Sequence, residues 1–211
     1  MEFEEWEPYY IEILRDFSYS REEDERSARL LDQVLAGDRI SLDTLRHRIE
    51  GKEVFVAGNA PSLKRGLTSI RGSVIAADEA ASVLIDAEVL PDIIVTDLDG
   101  RIQDQVRANS EGSVAVIHAH GDNMPAVKKW APLFDGEVVG TTQSRPFGRI
   151  FNFGGFTDGD RAVFLARHFG ASSVRLVGFD FEHPSPKDEN PATKLRKLAW
   201  AKRLIGLLGL P

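Results

Sequence analysis

From Lys52 onward the chain alternates short apolar runs, rich in β-branched residues, with stretches whose apolar positions recur at helical spacing. "EVFVAG", "SVIAAD", "DIIVTD", "SVAVIHAH", "GEVVGTT" and "SVRLVGFD" read as strands, and most are apolar at nearly every position. A strand with one wet face alternates in polarity, whereas one buried on both faces does not. These runs therefore predict an α/β fold: a Rossmann-like, mostly parallel sheet with helices on both faces. "DGDRAVFLARHFG" is the best-formed intervening helix, with Val163, Phe164 and Phe169 apolar. Thr157 or Asp158 would cap it, its start is expected near Asp160, and Gly170 is its stop. "ATKLRKLAWAKRLIGLL" predicts a closing amphipathic helix.

The pattern before Lys52 is helical instead. "SREEDERSARLLDQVLAG" places Leu30, Leu31, Val34 and Leu35 on one side, with Gly37 as a stop. "SLDTLRHRIEG" follows, with Ser41 as cap and Leu42, Leu45 and Ile49 at helical spacing. The acidic run Glu22 to Glu25 reads as the solvated face of a first helical turn, where the helix dipole favours negative charge. The expected organisation is a helical cap over residues 1–51 and an α/β catalytic domain over 52–211 that includes the last helix. "EHPSPKDENP" is the one Pro-rich polar loop long enough to act as a flap.

Composition narrows the range of function. A chain of 211 residues can bury a sizeable core, and a net charge of −7 argues against a protein built to grip nucleic acid. There is no cysteine, hence no disulfide framework, thiolate nucleophile or Cys-ligated zinc. The acidic start "MEFEEWEPYYIEIL" lacks the basic region of a signal peptide, and no apolar run is long enough to span a membrane. These features predict a cytoplasmic protein with small-molecule partners. An exposed face of the N-terminal helices could pair two copies into a homodimer.

Candidate chemistry gathers where the strands end. The first run exits into Gly58, Asn59 and Ser62, the second into Asp78, and the third into Asp97 and Asp99. The fourth exits into His118, His120, Asp122 and Asn123, the fifth into Thr141 and Thr142, and the last into Asp180. Ligands of open parallel sheets sit beyond the carboxyl ends of the strands, so one edge collects the polar groups. In "DIIVTDLDG", Asp97 and Asp99 would share a face if the strand ran through them. They are either solvated loop residues or oxygen ligands of a hard divalent cation, which would turn their repulsion into attraction. Asp122 suits the same cation better than it suits zinc with His118 and His120, and no H-E-x-x-H signature occurs. "GNAPSL" could cradle phosphate at a helix start or be an ordinary tight turn. "FNFGGFTDGDRA" offers either capping chemistry or a glycine loop on which a ligand lies flat, with Phe153 or Phe156 against its ring.

"GNAPSL", "AADEA", "PDIIVTDLDG", "HAHGDN", "NFGGFTDGDRA" and "VGFDF", in that order, resemble the archaeal 6-hydroxymethyl-7,8-dihydropterin pyrophosphokinase family over roughly residues 52–182. "AAD…PDIIVTDLDG" is more distantly similar to the catalytic half of thiamine pyrophosphokinases. Ala60 and Glu79 depart from the glycines expected at those positions. The resemblance implies transfer of diphosphate from ATP to the hydroxymethyl group of a reduced pterin, with release of AMP, in folate- or methanopterin-type biosynthesis. It further implies Mg²⁺ on Asp97, Asp99 and Asp122 with Asp78 as a further ligand or a group that supports the ligands, ATP near Gly58, Asn59 and Ser62, and, if a general base is used, an aspartate or His120 close to the reacting hydroxyl. Thr142, Asn152, Thr157, Asp158 and Asp180 are the candidates for the pterin's polar edge, and Lys194, Arg196 and Lys197 could reach phosphate oxygens. The alternatives are a thiamine-type acceptor, a nucleotide-sugar glycosyltransferase that uses the D-x-D, and a non-catalytic nucleotide-sensing module.

Overall fold

The computed structural model describes residues 1–35, 42–184 and 190–210. Gly37 and Ser41, the expected stop and cap, and the middle of the Pro-rich loop lie outside the described residues. In chain order the elements are α1 (Phe3–Phe17), α2 (Arg21–Val34), α3 (Leu42–Ile49), β1 (Glu53–Ala57), α4 (Leu63–Gly66), β2 (Ser73–Ala77), α5 (Ala80–Asp86) and β3 (Ile93–Thr96). They continue as α6 (Ile102–Ser110), β4 (Val114–Ala119), α7 (Met124–Trp130), β5 (Val138–Thr142), β6 (Ile150–Phe151), α8 (Asp158–His168), β7 (Ser173–Val177) and α9 (Pro191–Leu207).

The strands form one seven-stranded sheet in the order β6-β5-β4-β3-β2-β1-β7, and every pairing is parallel. Successive strands from β1 to β6 step in one direction, so right-handed crossovers place the intervening helices on one face. The chain then returns across the other face to lay β7 beside β1. Alternation within each strand divides the core accordingly. Val114 and Val116 of β4 pack with α3, α8 and α9, whereas Ala115, Ile117 and Ala119 pack with α2 and α7. Both sets are buried, which is why the strands are apolar at every position. The short β6 was not legible as a strand, because two residues cannot show a period.

The helices ahead of Lys52 are packed into this core. Leu45 and Ile49 join the cluster under α8, and Ala28 and Leu31 join the one over β4 and β5. Phe3, Trp6, Tyr10 and Ile13 of α1 pack against Phe164 of α8 and Trp200 and Leu204 of α9. Side chains of this size, fully buried, contribute about 1.5–3 kcal/mol each. The reading of Glu22 to Glu25 as a solvated face is corrected at one position: Asp24 is only 3% exposed. With Ser27, Ala28 and Leu31 it forms the buried i, i+3, i+4, i+7 stripe of α2. α8 begins at Asp158 rather than Asp160, with Thr157 as its N-cap and Asp160 closing the capping box.

Candidate active site

The end of β3 answers how two aspartates at i, i+2 are held. The strand stops at Thr96, and Leu98 takes the left-handed conformation at φ +69° with its side chain buried. A leucine reaches that region only when its surroundings impose it. Thr96 supplies part of the constraint, because its hydroxyl accepts from the Leu98 N–H at 2.9 Å and donates to Asp78 Oδ1 at 3.1 Å. Gln105 Nε2 donates to the same Asp78 oxygen at 3.1 Å and to the Asp99 carbonyl at 3.2 Å. Asp78 is itself left-handed, at φ +46°. Two strained loops, after β2 and β3, are thus stitched together so that Asp78, Asp97 and Asp99 all line one cavity of about 210 Å³.

β4 contributes the next wall. His120 Nε2 lies 3.3 Å from Asp97 Oδ2, and the His120 ring also accepts from the Asn123 backbone N–H. A carboxylate only accepts, so Nε2 carries the proton and Nδ1 the lone pair. Both ring nitrogens are engaged, which makes His120 a brace on Asp97. Asn123 ties the turn beneath it: its Nδ2 donates to the carbonyls of Asp97 (2.9 Å) and His118 (2.7 Å). Its Oδ1 accepts from His120 N (3.0 Å) and from Ser27 Oγ of α2 (3.1 Å). Asp122, beside it, lines the cavity. His118 does not line it: the ring is buried, with Nδ1 3.1 Å from Thr141 Oγ1. Burial, with Arg161 and His120 nearby, pushes its pKa well below the usual range, so it stays neutral.

α8 brings Thr157, Asp158 and Arg161 to the cavity. Asp158 Oδ1 receives Arg161 Nη1 at 2.9 Å, and Arg161 Nη2 donates to the Phe156 carbonyl at 2.7 Å. A Cβ on Gly155 would stand 2.4 Å from Arg161 Cα, so this glycine loop lies flat against its own helix. Phe156 lines the cavity, whereas Phe153 belongs to the core beside Phe169. Lys194 and Lys197 of α9 complete the rim.

The carboxylates perturb one another. Burial pushes Asp78 well above the carboxylate range, and the charges of Asp158 and Asp97 add to the shift. Burial, then Asp97, raises Asp158 to about 7. Burial opposes the Asp97 carboxylate too, but the hydrogen bond from His120, with the charges of Arg161 and Lys197, outweighs it and holds its pKa low. Hard oxygen donors crowded together in this way fit a divalent cation such as Mg²⁺ in kind, since a cation would relieve the repulsion that raises Asp78. Among the described residues no three acids or histidines already stand in a ligating cluster.

Several expected site residues fall outside the cavity lining. Gly58 sits where β1 meets β7; a Cβ there would lie 2.8 Å from the Gly178 carbonyl, and its N–H continues the sheet to Val177 O. Its need for glycine is backbone packing. Asn59 Nδ2 is bound to Glu79 Oε2 at 2.7 Å, and Ser62 precedes the four-residue α4 without a side-chain capping bond. Thr142 is buried with its hydroxyl accepting from Ser144 N, and Asn152 spends its amide on the Gln143, Ser144 and Gly154 backbone. Asp180 caps the backbone of Glu182 and His183, and Arg196 reaches Asp16 at the far side of α9. The cavity adds residues the sequence reading did not single out: Tyr19, Glu23, Asp24, Gln143 and Arg161. Of these, Gln143 had a visible signal, since it directly follows the strand "GEVVGTT".

A parallel α/β sheet with an acidic cavity beyond its central strand ends, rimmed by Arg161 and lysines, places the cavity where open parallel α/β proteins bind their ligands. The family model described as 6-hydroxymethylpterin diphosphokinase MptE-like matches residues 28–185, and the chain belongs to that family. It is 43% identical over 224 residues to the 6-hydroxymethyl-7,8-dihydropterin pyrophosphokinase of Methanothermobacter thermautotrophicus, covering 99% of this chain and 95% of that protein. It is 43% identical over 221 residues to the protein of the same name from Pyrococcus furiosus, covering 97% and 93%. For the one from Methanocaldococcus jannaschii the identity is 37% over 232 residues, covering 99% and 96%. Among solved structures, the MAf glycosyltransferase from Magnetospirillum magneticum AMB-1 superposes with a TM-score of 0.50 at 18% identity, covering 84% of this chain and 35% of that one. That likeness is one of fold alone. Among the described residues no helix is long and apolar enough to cross a membrane.

Proposed function

We propose that the protein transfers diphosphate from ATP to the hydroxymethyl group of 6-hydroxymethyl-7,8-dihydropterin, releasing AMP. The observation that carries this reading is the convergence of Asp78, Asp97, Asp99, Asp122 and Asp158 on one cavity, in a chain that aligns almost end to end with relatives of that name. Family membership favours the pterin over the thiamine-type and sugar-nucleotide alternatives.

In the reaction the acceptor's hydroxyl oxygen bonds to the β-phosphorus of ATP, the bond from that phosphorus to the α-phosphate oxygen breaks, and AMP departs with the electron pair. The protein must align these atoms and offset the charge that gathers on the phosphate oxygens. Asp97, Asp99 and Asp122, with Asp78, would hold Mg²⁺, which when bound neutralises triphosphate charge. Arg161, Lys194 and Lys197 face the same cavity and supply positive charge to the transferred group. His120 keeps Asp97 ionised and aimed. Asp158, raised to about 7, is suited to taking the hydroxyl proton near neutrality.

The test incubates the protein with ATP and Mg²⁺ together with either the reduced pterin or thiamine, and measures AMP. AMP formed only with the pterin is the expected result. No AMP with the pterin, or AMP with thiamine instead, overturns the reading.

A further inference from the structure

We infer that Gln143, aimed by the buried carboxylate of Asp24, reads the amino edge of the acceptor's ring, and that Tyr19 and Phe156 form the wall against which the ring lies. The inference rests on the pterin reading above and assigns the acceptor to one end of the cavity.

Topology separates the two ends. Asp78, Asp97 and Asp99 follow β2 and β3, whereas Gln143 follows β5, with β4 between. Neighbouring strands lie about 4.8 Å apart, so the backbone at Gln143 stands roughly 10 Å along the sheet from that at Asp97. The carboxylates suited to the triphosphate occupy one side, and Gln143 occupies the other.

The orientation of the Gln143 amide follows from what surrounds it. Burial, reinforced by Asp24, pushes the Tyr10 phenol far up, so it keeps its proton and donates to Asp24 Oδ2 at 2.7 Å. Gly121 N donates to Oδ1 at 2.8 Å, and Gln143 Nε2 donates to Oδ2 at 2.8 Å. A carboxylate offers no proton, so the amide has to turn its NH₂ toward Asp24. The Gln143 backbone is pinned as well, because its carbonyl accepts from Trp6 Nε1 at 2.8 Å and from Asn152 Nδ2 at 3.0 Å. Gln143 is only 4% exposed, yet its Oε1 is not sealed from solvent and has no donor among the described residues. That fixed acceptor is left to the cavity Gln143 lines.

A fixed acceptor in a nearly buried position selects for an N–H. The 2-amino group and N3–H of a pterin present such donors on a flat ring. Tyr19 and Phe156 line the same cavity, and Phe17 braces both from behind, with ring centroids at 5.4 Å and 5.1 Å. A ring lacking the donor would leave Oε1 unpaired, a loss of roughly 10- to 100-fold in affinity.

Three variants test this by steady-state kinetics with ATP and 6-hydroxymethyl-7,8-dihydropterin. Gln143→Leu removes the acceptor. Asp24→Asn keeps an oxygen for Gly121 N but offers NH₂ to Tyr10 and Gln143, which turns the Gln143 amide around so that a donor faces the ring. Both are expected to raise KM for the pterin about 10-fold or more, with KM for ATP within about two-fold of the parent. Tyr19→Leu, at a half-buried position where an apolar side chain still packs beside Phe17, is expected to raise the pterin KM alone as well. Unchanged pterin KM in the variants, or a rise in KM for ATP instead, overturns the assignment while turnover by the parent protein stands. Failure of the parent protein to form AMP with the pterin overturns the functional reading and this inference with it.

Discussion

Asp97 Oδ2 lies 3.3 Å from His120 Nε2, and this contact ties the end of β3 to the end of β4. It keeps one carboxylate of the cavity ionised beside others that burial drives toward neutrality. Asp97→Asn and Asp99→Asn each remove an anionic oxygen donor without touching the hydrophobic core. Turnover is expected to fall by about 100-fold or more in each, with the circular dichroism spectrum unchanged. Chelation by EDTA should abolish turnover in the parent protein, and added Mg²⁺ should raise the melting temperature of the parent but not of either variant.

Asp78→Asn is expected to exchange function for stability. Asp78 is driven well above the carboxylate range by burial and by Asp158 and Asp97, so its ionisation destabilises the fold at high pH. An asparagine oxygen still accepts from Thr96 and Gln105, and asparagine tolerates the left-handed backbone at φ +46°. The variant should melt higher than the parent at pH 8, converge with it near pH 4, and turn over more slowly at every pH.

Thermal scans of the ligand-free protein and of Asp158→Asn should show the parent losing stability relative to the variant between pH 5 and pH 7, while His118, buried neutral, acts in the opposite direction in both and cancels in the comparison. The sign follows from Asp158, whose folded value of about 7 exceeds the unfolded carboxylate value of 3.8. Its contribution is fully present below the unfolded value, and it is lost as pH rises through the folded one. Asp97, held low, loses its contribution only as pH drops below the ordinary carboxylate range, outside this window. Asp158→Asn should make the slope of stability against pH more positive than in the parent, and an unaltered slope in that variant counts against the assignment.

Asn123→Ala should be the most damaging of the substitutions at the cavity floor. It strands the Asp97 and His118 carbonyls and removes the acceptor for His120 N and Ser27 Oγ. Leaving buried polar groups unpaired costs about 1–3 kcal/mol each. A loss of about 3 kcal/mol lowers the melting temperature by roughly 6–12 °C in a protein of this size, measurable by calorimetry.

The sheet was legible because strands buried on both faces announce themselves: Val114 to Ala119 is apolar or small at all but one position, and each face has its own helices. Asp78, Asp97, Asp99 and Asp122 were legible as a group at one edge because each lies within three residues of the end of such a strand. What the sequence hid depends on long-range packing. Asp24 sits in an acidic run that looks like any exposed first turn, and only its place in the stripe of Ser27, Ala28 and Leu31 marks it as buried. Gly58 looks like a phosphate loop because glycine serves close backbone approach in either case; here the approaching backbone is Gly178. Asn152 and Thr142 have the right polarity for a ligand, but neighbouring backbone groups claim their hydrogen bonds.

Ser27 and Asp24 of α2 grip Asn123 and Gly121, the turn that carries Asp122. A shortened protein begun at Lys52 would therefore keep the aspartates that follow its strands yet lose the foundation on which one of them rests. Trimming for crystallisation, or grafting the sheet into a fusion, has to leave the first 35 residues in place.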